Sequence, residues 1–234
     1  MRKILISDAG ECSERILYIL RELSEKLLLC NASSSLKFSG DRTVLIVEAE
    51  ENFEPYLRDM VIEKVAEAIC ISFKYEFIGK EIKVALLSEE EREILLTELI
   101  AADLCEEVAY VSDLLDRDEI FQLDGFYTFR LGAMKEKWKK ICDAVPPTFQ
   151  VDQLEDFVTY LMEENTGFLY LKEGKVYSDT YRKLDRAGLI ANDKWKLMRE
   201  IILSGAKEVL CFDEVKGSDY AFLQKYYGDR AFFP

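Results

Sequence analysis

Six residues, Tyr127, Leu131, Met134, Trp138, Ile141 and Val145, step along the chain by fours and threes, and Pro146-Pro147 stops them. That spacing puts all six on one face of a helix, and an apolar face of that length must be covered. The prolines end it because proline lacks an amide hydrogen and clashes with the preceding turn. A core-facing helix in the middle of the chain is therefore the most constrained element. The segments before and after must supply the surfaces that bury it.

Those segments follow other rhythms. Residues 2–7 read as a strand, and Asp8-Ala9-Gly10 as a turn. Ile16, Ile19, Leu20, Leu23 and Leu27 predict a helix from about Glu11 to Leu29. Leu36-Lys37-Phe38 and Thr43 to Ala49 flank Ser39-Gly40-Asp41, which is hairpin chemistry. Asn52 is placed to cap a helix that buries Phe53, Leu57, Met60, Val61, Val65 and Ala68. Residues 71–78 alternate apolar with polar. As a strand they complete a split βαβ, ferredoxin-like unit; as a continued helix they leave it incomplete.

Ser88 and Glu91 form a capping box ahead of Ile94, Leu95, Leu99 and Ile100. From there the chain reads as helical to about Asn165. Asp124 is the expected N-cap of the helix carrying the stripe, and Asp152 starts another. Beyond it, Phe168–Leu171 and Lys175–Tyr177 flank Glu173-Gly174 as a hairpin. A helix capped by Asn192 or Asp193 carries Trp195, Met198, Ile201 and Ile202 and ends at Gly205. A strand over 208–212, a helix around Tyr220–Tyr226 and a last strand near 230–233 follow. Strands alternating with helices favour parallel pairing through right-handed crossovers. The expected fold class is α+β: an N-terminal unit over 1–80, a helical segment over 81–165 and a small α/β unit over 166–234, with 81–234 forming one domain.

The stretch Leu123-Asp-Gly-Phe-Tyr-Thr-Phe-Arg-Leu131 resembles the signature block of the YtxC-like family, sporulation proteins of spore-forming Firmicutes. Three further blocks follow in the same order: the helix around Glu155-Asp156-Phe157, the strand over Lys207–Phe212, and Tyr227-Gly228-Asp229-Arg230-Ala231-Phe232 near the end. The resemblance covers 88–234. Gly132-Ala133-Met134 and Pro234 depart from the family pattern. The resemblance implies a sporulation context and defines no reaction, cofactor or catalytic residue.

With 234 residues and no histidine, the chain excludes serine or cysteine triads that use an imidazole, and histidine-ligated zinc. No Walker loop, Gly-rich dinucleotide fingerprint or paired-cysteine motif is present. No cofactor or metal is expected. Six cysteines stand singly, which predicts reduced thiols in a cytosolic protein. Formal net charge is −14, which repels nucleic acid and anionic lipid and favours a basic protein partner. The run of Lys135, Lys137, Lys139 and Lys140 reads as a solvated helix face. Ile4-Leu5-Ile6 is too short for a signal-peptide core, and no stretch approaches the ~20 apolar residues of a membrane span.

Three residues are the candidate binding groups. Asp8 stands where the first strand gives way to a helix, a place where backbone amides attract anions. Asp124 opens the signature helix. Arg130, among Phe126, Tyr127 and Phe129, is expected to pair with Asp118, Glu119 or Asp124 or to stack on a ring. The expected function is non-catalytic, through a protein partner; the alternative is an enzyme or sensor for a small anionic ligand at the ends of the C-terminal parallel strands. The oligomeric state stays open.

Overall fold

The protein is mixed α and β, and its computed structural model describes residues 2–190 and 193–234. In chain order the main elements are β1 (Arg2–Ala9), α1 (Glu14–Leu29), β2 (Ser33–Ser39), β3 (Arg42–Ala49), α2 (Glu54–Ala68), α3 (Lys74–Glu81), α4 (Glu89–Ala101) and α5 (Leu104–Leu115). They continue with β4 (Ile120–Gln122), α6 (Leu123–Arg130), α7 (Gly132–Ala144), α8 (Val151–Glu164), β5 (Gly167–Lys172), β6 (Lys175–Ser178), α9 (Lys196–Leu203), β7 (Ala206–Cys211), α10 (Gly217–Phe222) and β8 (Ala231–Phe232). Two units result: Met1–Glu76 with Leu104–Trp138, and Phe77–Asp103 with Lys139–Pro234. The expected helical middle is thus shared between them, and residues 81–234 contribute to both.

The first unit opens with the expected strand–helix–strand–strand–helix order. Its sheet runs β2-β3-β1-β4. β3 pairs antiparallel with both β2 and β1, so β1 and β2 are parallel with β3 between them. This is a split βαβ. The fourth strand is β4, parallel to β1 through Leu5–Ile120 and Ile6–Phe121. A ferredoxin-like unit would make it antiparallel, because a crossover from β3 returns parallel to β3.

Residues 71–78 are helical, so they do not supply that strand. A π-helical turn over Ile69–Phe73 carries α2 straight into α3. The alternation misleads because Ser72 and Lys74 do not face water. Arg15 Nε donates to Ser72 Oγ, and fully buried Lys74 pairs with Glu107 at 3.1 Å. α2 likewise begins at Glu54 without a side-chain cap, so Asn52 does not cap it, and Phe53 is exposed. The helix buries Lys64 and Glu67 beside Leu57, Val61 and Val65. Tyr18 Oη and Lys64 Nζ donate to Glu67 Oε2 at 2.6 and 2.8 Å, which satisfies the buried carboxylate.

The stripe keeps its register from Leu131 to Trp138 but not its continuity, and Tyr127, Ile141 and Val145 are only partly buried. α6 ends at Arg130, and α7 restarts at Gly132. Leu131, Met134 and Trp138 are buried as expected. Trp138 Nε1 donates to Glu107 Oε1 at 3.0 Å.

The second unit holds α4, α8 and a sheet in the order β6-β5-β7-β8. β5 and β6 form the expected hairpin, turning at Glu173 and Gly174 with φ of +51° and +66°. β5, β7 and β8 are parallel. The Ser88–Glu91 capping box starts α4. The helix carrying Met198, Ile201 and Ile202 is α9, but Asp193 does not cap it: Asp193–Trp195 forms a 3-10 turn, and α9 starts at Lys196 with Trp195 at its N-cap and no side-chain cap; Asn192 lies outside the described residues. Among the described residues no helix is long and apolar enough to cross a membrane.

Candidate functional site

All three sequence candidates fall in the first unit; Asp8 and Asp124 both bear on Arg42, while Arg130 pairs with Asp118. Asp8 ends β1 on its buried face, fully inaccessible. Ser13 caps α1, and its hydroxyl donates to Asp8 Oδ2 at 2.6 Å. Arg15 Nη1 donates to the same oxygen at 2.9 Å. The helix start therefore already faces a carboxylate, so it is no open anion site. Asp124 is not an N-cap. It lies in the first turn of α6 and accepts from Arg42 Nη1 and Nη2 at 3.1 and 2.6 Å. Those hydrogen bonds hold the Asp124 carboxyl below its usual range and raise the Arg42 guanidinium above its own.

Arg130 pairs with Asp118 at 3.3 Å and lies 5.4 Å from the centre of the Phe126 ring, both within the expected partners. Its Nη2 also donates to the carbonyl of Leu114, and Arg58 donates to the carbonyls of Asp116 and Asp118. Two guanidinium groups thus meet the negative end of α5. The lysine run is not a uniform face: Lys135 sits 4.0 Å from the centre of the Tyr127 ring, and Lys137 is 3.5 Å from Glu107.

Two features of the second unit have functional geometry. The first is the open face of its sheet. Leu169, Leu171, Val176, Val209 and Cys211 point to the covered side. The opposite side carries a register-aligned row, Tyr177–Tyr170–Leu210–Phe232, across all four strands. Tyr170 stacks on Tyr181 at 4.2 Å and on Phe212 at 5.6 Å, with Phe168 edge-on at 4.9 Å. Tyr181, Phe212 and Phe232 are exposed. A hairpin and two parallel strands bring these residues together from four separate segments.

The second is a cavity of about 380 Å³ beside the β5–β6 turn. The β5–β6 turn, the start of α9 and the start of α10 form its walls. Lys175, Lys183, Lys194 and Lys196 line it together with Asp185, Asp193, Glu200 and Asp219. Lys196 pairs with Asp185 at 2.9 Å, and Lys194 with Glu89 at 3.0 Å. Glu200 is buried. Its Oε2 accepts from the Ala187 amide at 2.7 Å, while Oε1, itself inaccessible, has no hydrogen-bond partner among the described residues. Burial pushes its carboxyl up to about 7 and raises Asp219 as well.

Neither Glu200 nor Tyr170 emerged from the sequence. Glu200 left one signal: it stands with Arg199 inside Lys-Leu-Met-Arg-Glu-Ile-Ile-Leu, an apolar helix with no reason to hold charge. Arg199 answers to Glu93, 106 residues away. Residues 155–157, 207–212 and 227–232 lie in the second unit; 123–131 lies in the first. No family model, curated protein or solved structure matches the chain. Among the described residues no histidine, cysteine or acidic side chains cluster as metal ligands.

Proposed function

We propose that the protein acts without catalysis by binding a protein partner on the open face of its C-terminal sheet, in the sporulation context that the YtxC-like resemblance suggests. The observation that carries this is the four-strand row of Tyr177, Tyr170, Leu210 and Phe232 with stacked Tyr181 and Phe212 beside it. Rigid aromatics at the centre of a surface are what interfaces favour, because they bury much area with little rotamer entropy. At a net charge of −14 the chain favours a basic partner over an acidic one. The test is a pair of surface variants, Tyr181→Ser and Phe212→Ser, combined in one chain. The expected outcome is a melting temperature within a few degrees of wild type and loss of the basic partner cross-linked by the wild type in sporulating cells. A cross-linked set unchanged by the double variant overturns the reading.

A further inference from the structure

The sheet of the first unit has one long free edge. β2 pairs with β3 on one side only, whereas the strand at the other edge, β4, is three residues long. Ser33–Ser39 runs seven residues without proline or bulge, and every residue but Leu36 is exposed. The two-residue turn at Gly40-Asp41 makes Ser39 and Arg42 a hydrogen-bonded pair, so Lys37 and Ser35 bond inward the same way, to Val44 and Ile46. The N–H and C=O groups of Ser34, Leu36 and Phe38 therefore point outward. Among the described residues none of them takes a hydrogen bond from another element. Such a row of free backbone groups is a template for another strand.

What β2 presents decides which strand. It carries one charge, Lys37, and no acidic residue. Laid antiparallel on itself about Leu36, it sets Phe38 against Ser34 of a second copy and Lys37 against Ser35. Each large side chain then meets a small one, and no like charges face each other. Leu36 and Phe38 lie on the covered side of the sheet, opposite Leu45 and Thr43, yet Phe38 is 62% exposed. Leu28 and Leu29 at the end of α1, just ahead of Ser33 in the chain, are exposed as well. The same pairing brings Phe38 to the strand end that follows those leucines in the second copy. We infer that β2 pairs antiparallel with β2 of a second copy of this chain, joining two four-stranded sheets across a two-fold axis at Leu36. About six N–H···O bonds form, two from each hydrogen-bonded pair. The net charge of −14 opposes association of two copies, but charges farther apart than about 8 Å are screened at physiological salt. The dimer therefore tightens as salt rises, the reverse of an ion-paired interface. It shares no residue with the aromatic row of the second unit.

The experiment is sedimentation velocity of the full chain from low to high micromolar concentration. The expected result is a monomer–dimer equilibrium with a micromolar Kd that tightens between about 0.1 and 0.5 M salt. Ser34→Pro removes an outward N–H and no bond to β3, so it should weaken the dimer tenfold or more and leave the melting temperature of the dilute monomer unchanged. Ser35→Lys puts a charge opposite Lys37 of the second copy and should weaken the dimer, whereas Ser35→Glu should tighten it. These two variants keep the test decisive where the proline disturbs the strand. A wild type that stays monomeric throughout overturns the inference. So do Ser35 variants that leave the Kd unchanged or move it in the same direction, and so does a dimer lost instead in the Tyr181→Ser, Phe212→Ser double variant.

Discussion

Arg42 and Asp124 form the best-made polar contact among the residues singled out in the sequence, two hydrogen bonds from one guanidinium to one carboxylate. Both side chains are about one-third exposed, so solvent weakens the pair. Arg42→Ala should cost roughly 1–2 kcal/mol at pH 7. Because the pair depresses the folded-state Asp124 carboxyl, its contribution is complete above the ordinary value of 3.8 and is lost as pH falls through the depressed one. Urea midpoints for wild type and variant should therefore converge on acidification below that value. Glu98 has the opposite sign. Burial alone raises its carboxyl from 4.5 to about 8. The folded state holds that proton longer than the unfolded state, so this group's stabilisation is complete below 4.5 and fades as pH rises to about 8, by roughly 1.4 kcal/mol per pH unit. Glu98→Gln should remove the slope and stabilise the protein increasingly across that window, read from denaturant midpoints. The thiols divide just as simply: all six are free, Cys12 and Cys105 exposed, Cys30, Cys70, Cys142 and Cys211 buried. Two should react quickly with a thiol reagent in the native protein and six after denaturation.

At the scale of elements, the stripe that first suggests a helix belongs to two, α6 and α7, separated at Leu131. Their shared face still works as one because Leu131 itself is buried between them. Trp138 is the largest fully buried side chain, and its indole N–H meets Glu107, which also takes Lys74. Trp138→Ala should cost about 3–5 kcal/mol through the cavity it leaves. Trp138→Phe keeps most of the volume but leaves Glu107 one donor short, so roughly 1–3 kcal/mol is expected. Urea titration of both variants separates packing from hydrogen bonding. A melt unchanged to within a degree for Trp138→Ala would remove the element from the core.

For the whole molecule the chain order and the packing order differ. It leaves its first unit after Glu76, returns at Leu104 and leaves again after Trp138. A fragment of residues 81–234 thus carries α5, β4 and α6 without β1, the strand that β4 pairs with. Val111, Leu115, Phe121, Leu123 and Phe126, all buried in the full chain, would lose their cover. Apolar surface left in water costs about 25 cal/mol per Å² and promotes association. The fragment should melt at a much lower temperature than the full chain, with a broader transition by circular dichroism. Equal, sharp transitions would show that 81–234 is self-sufficient.

What the sequence determined by itself is the type and order of most elements: the stripe, the two hairpins, the Ser88 capping box, the parallel C-terminal strands and the exclusion of imidazole chemistry. These are local, because periodicity and turn chemistry report how a side chain points from its own backbone. Tertiary structure decided the rest. Residues 71–78 became helix because Arg15 and Glu107, distant in sequence, receive Ser72 and Lys74. The three-residue strand β4 was invisible because its only support is β1, more than a hundred residues earlier. Glu200 and the row through Tyr170 acquire meaning only where separate segments meet, and no spacing along one segment encodes which other segment will cover it or leave it open.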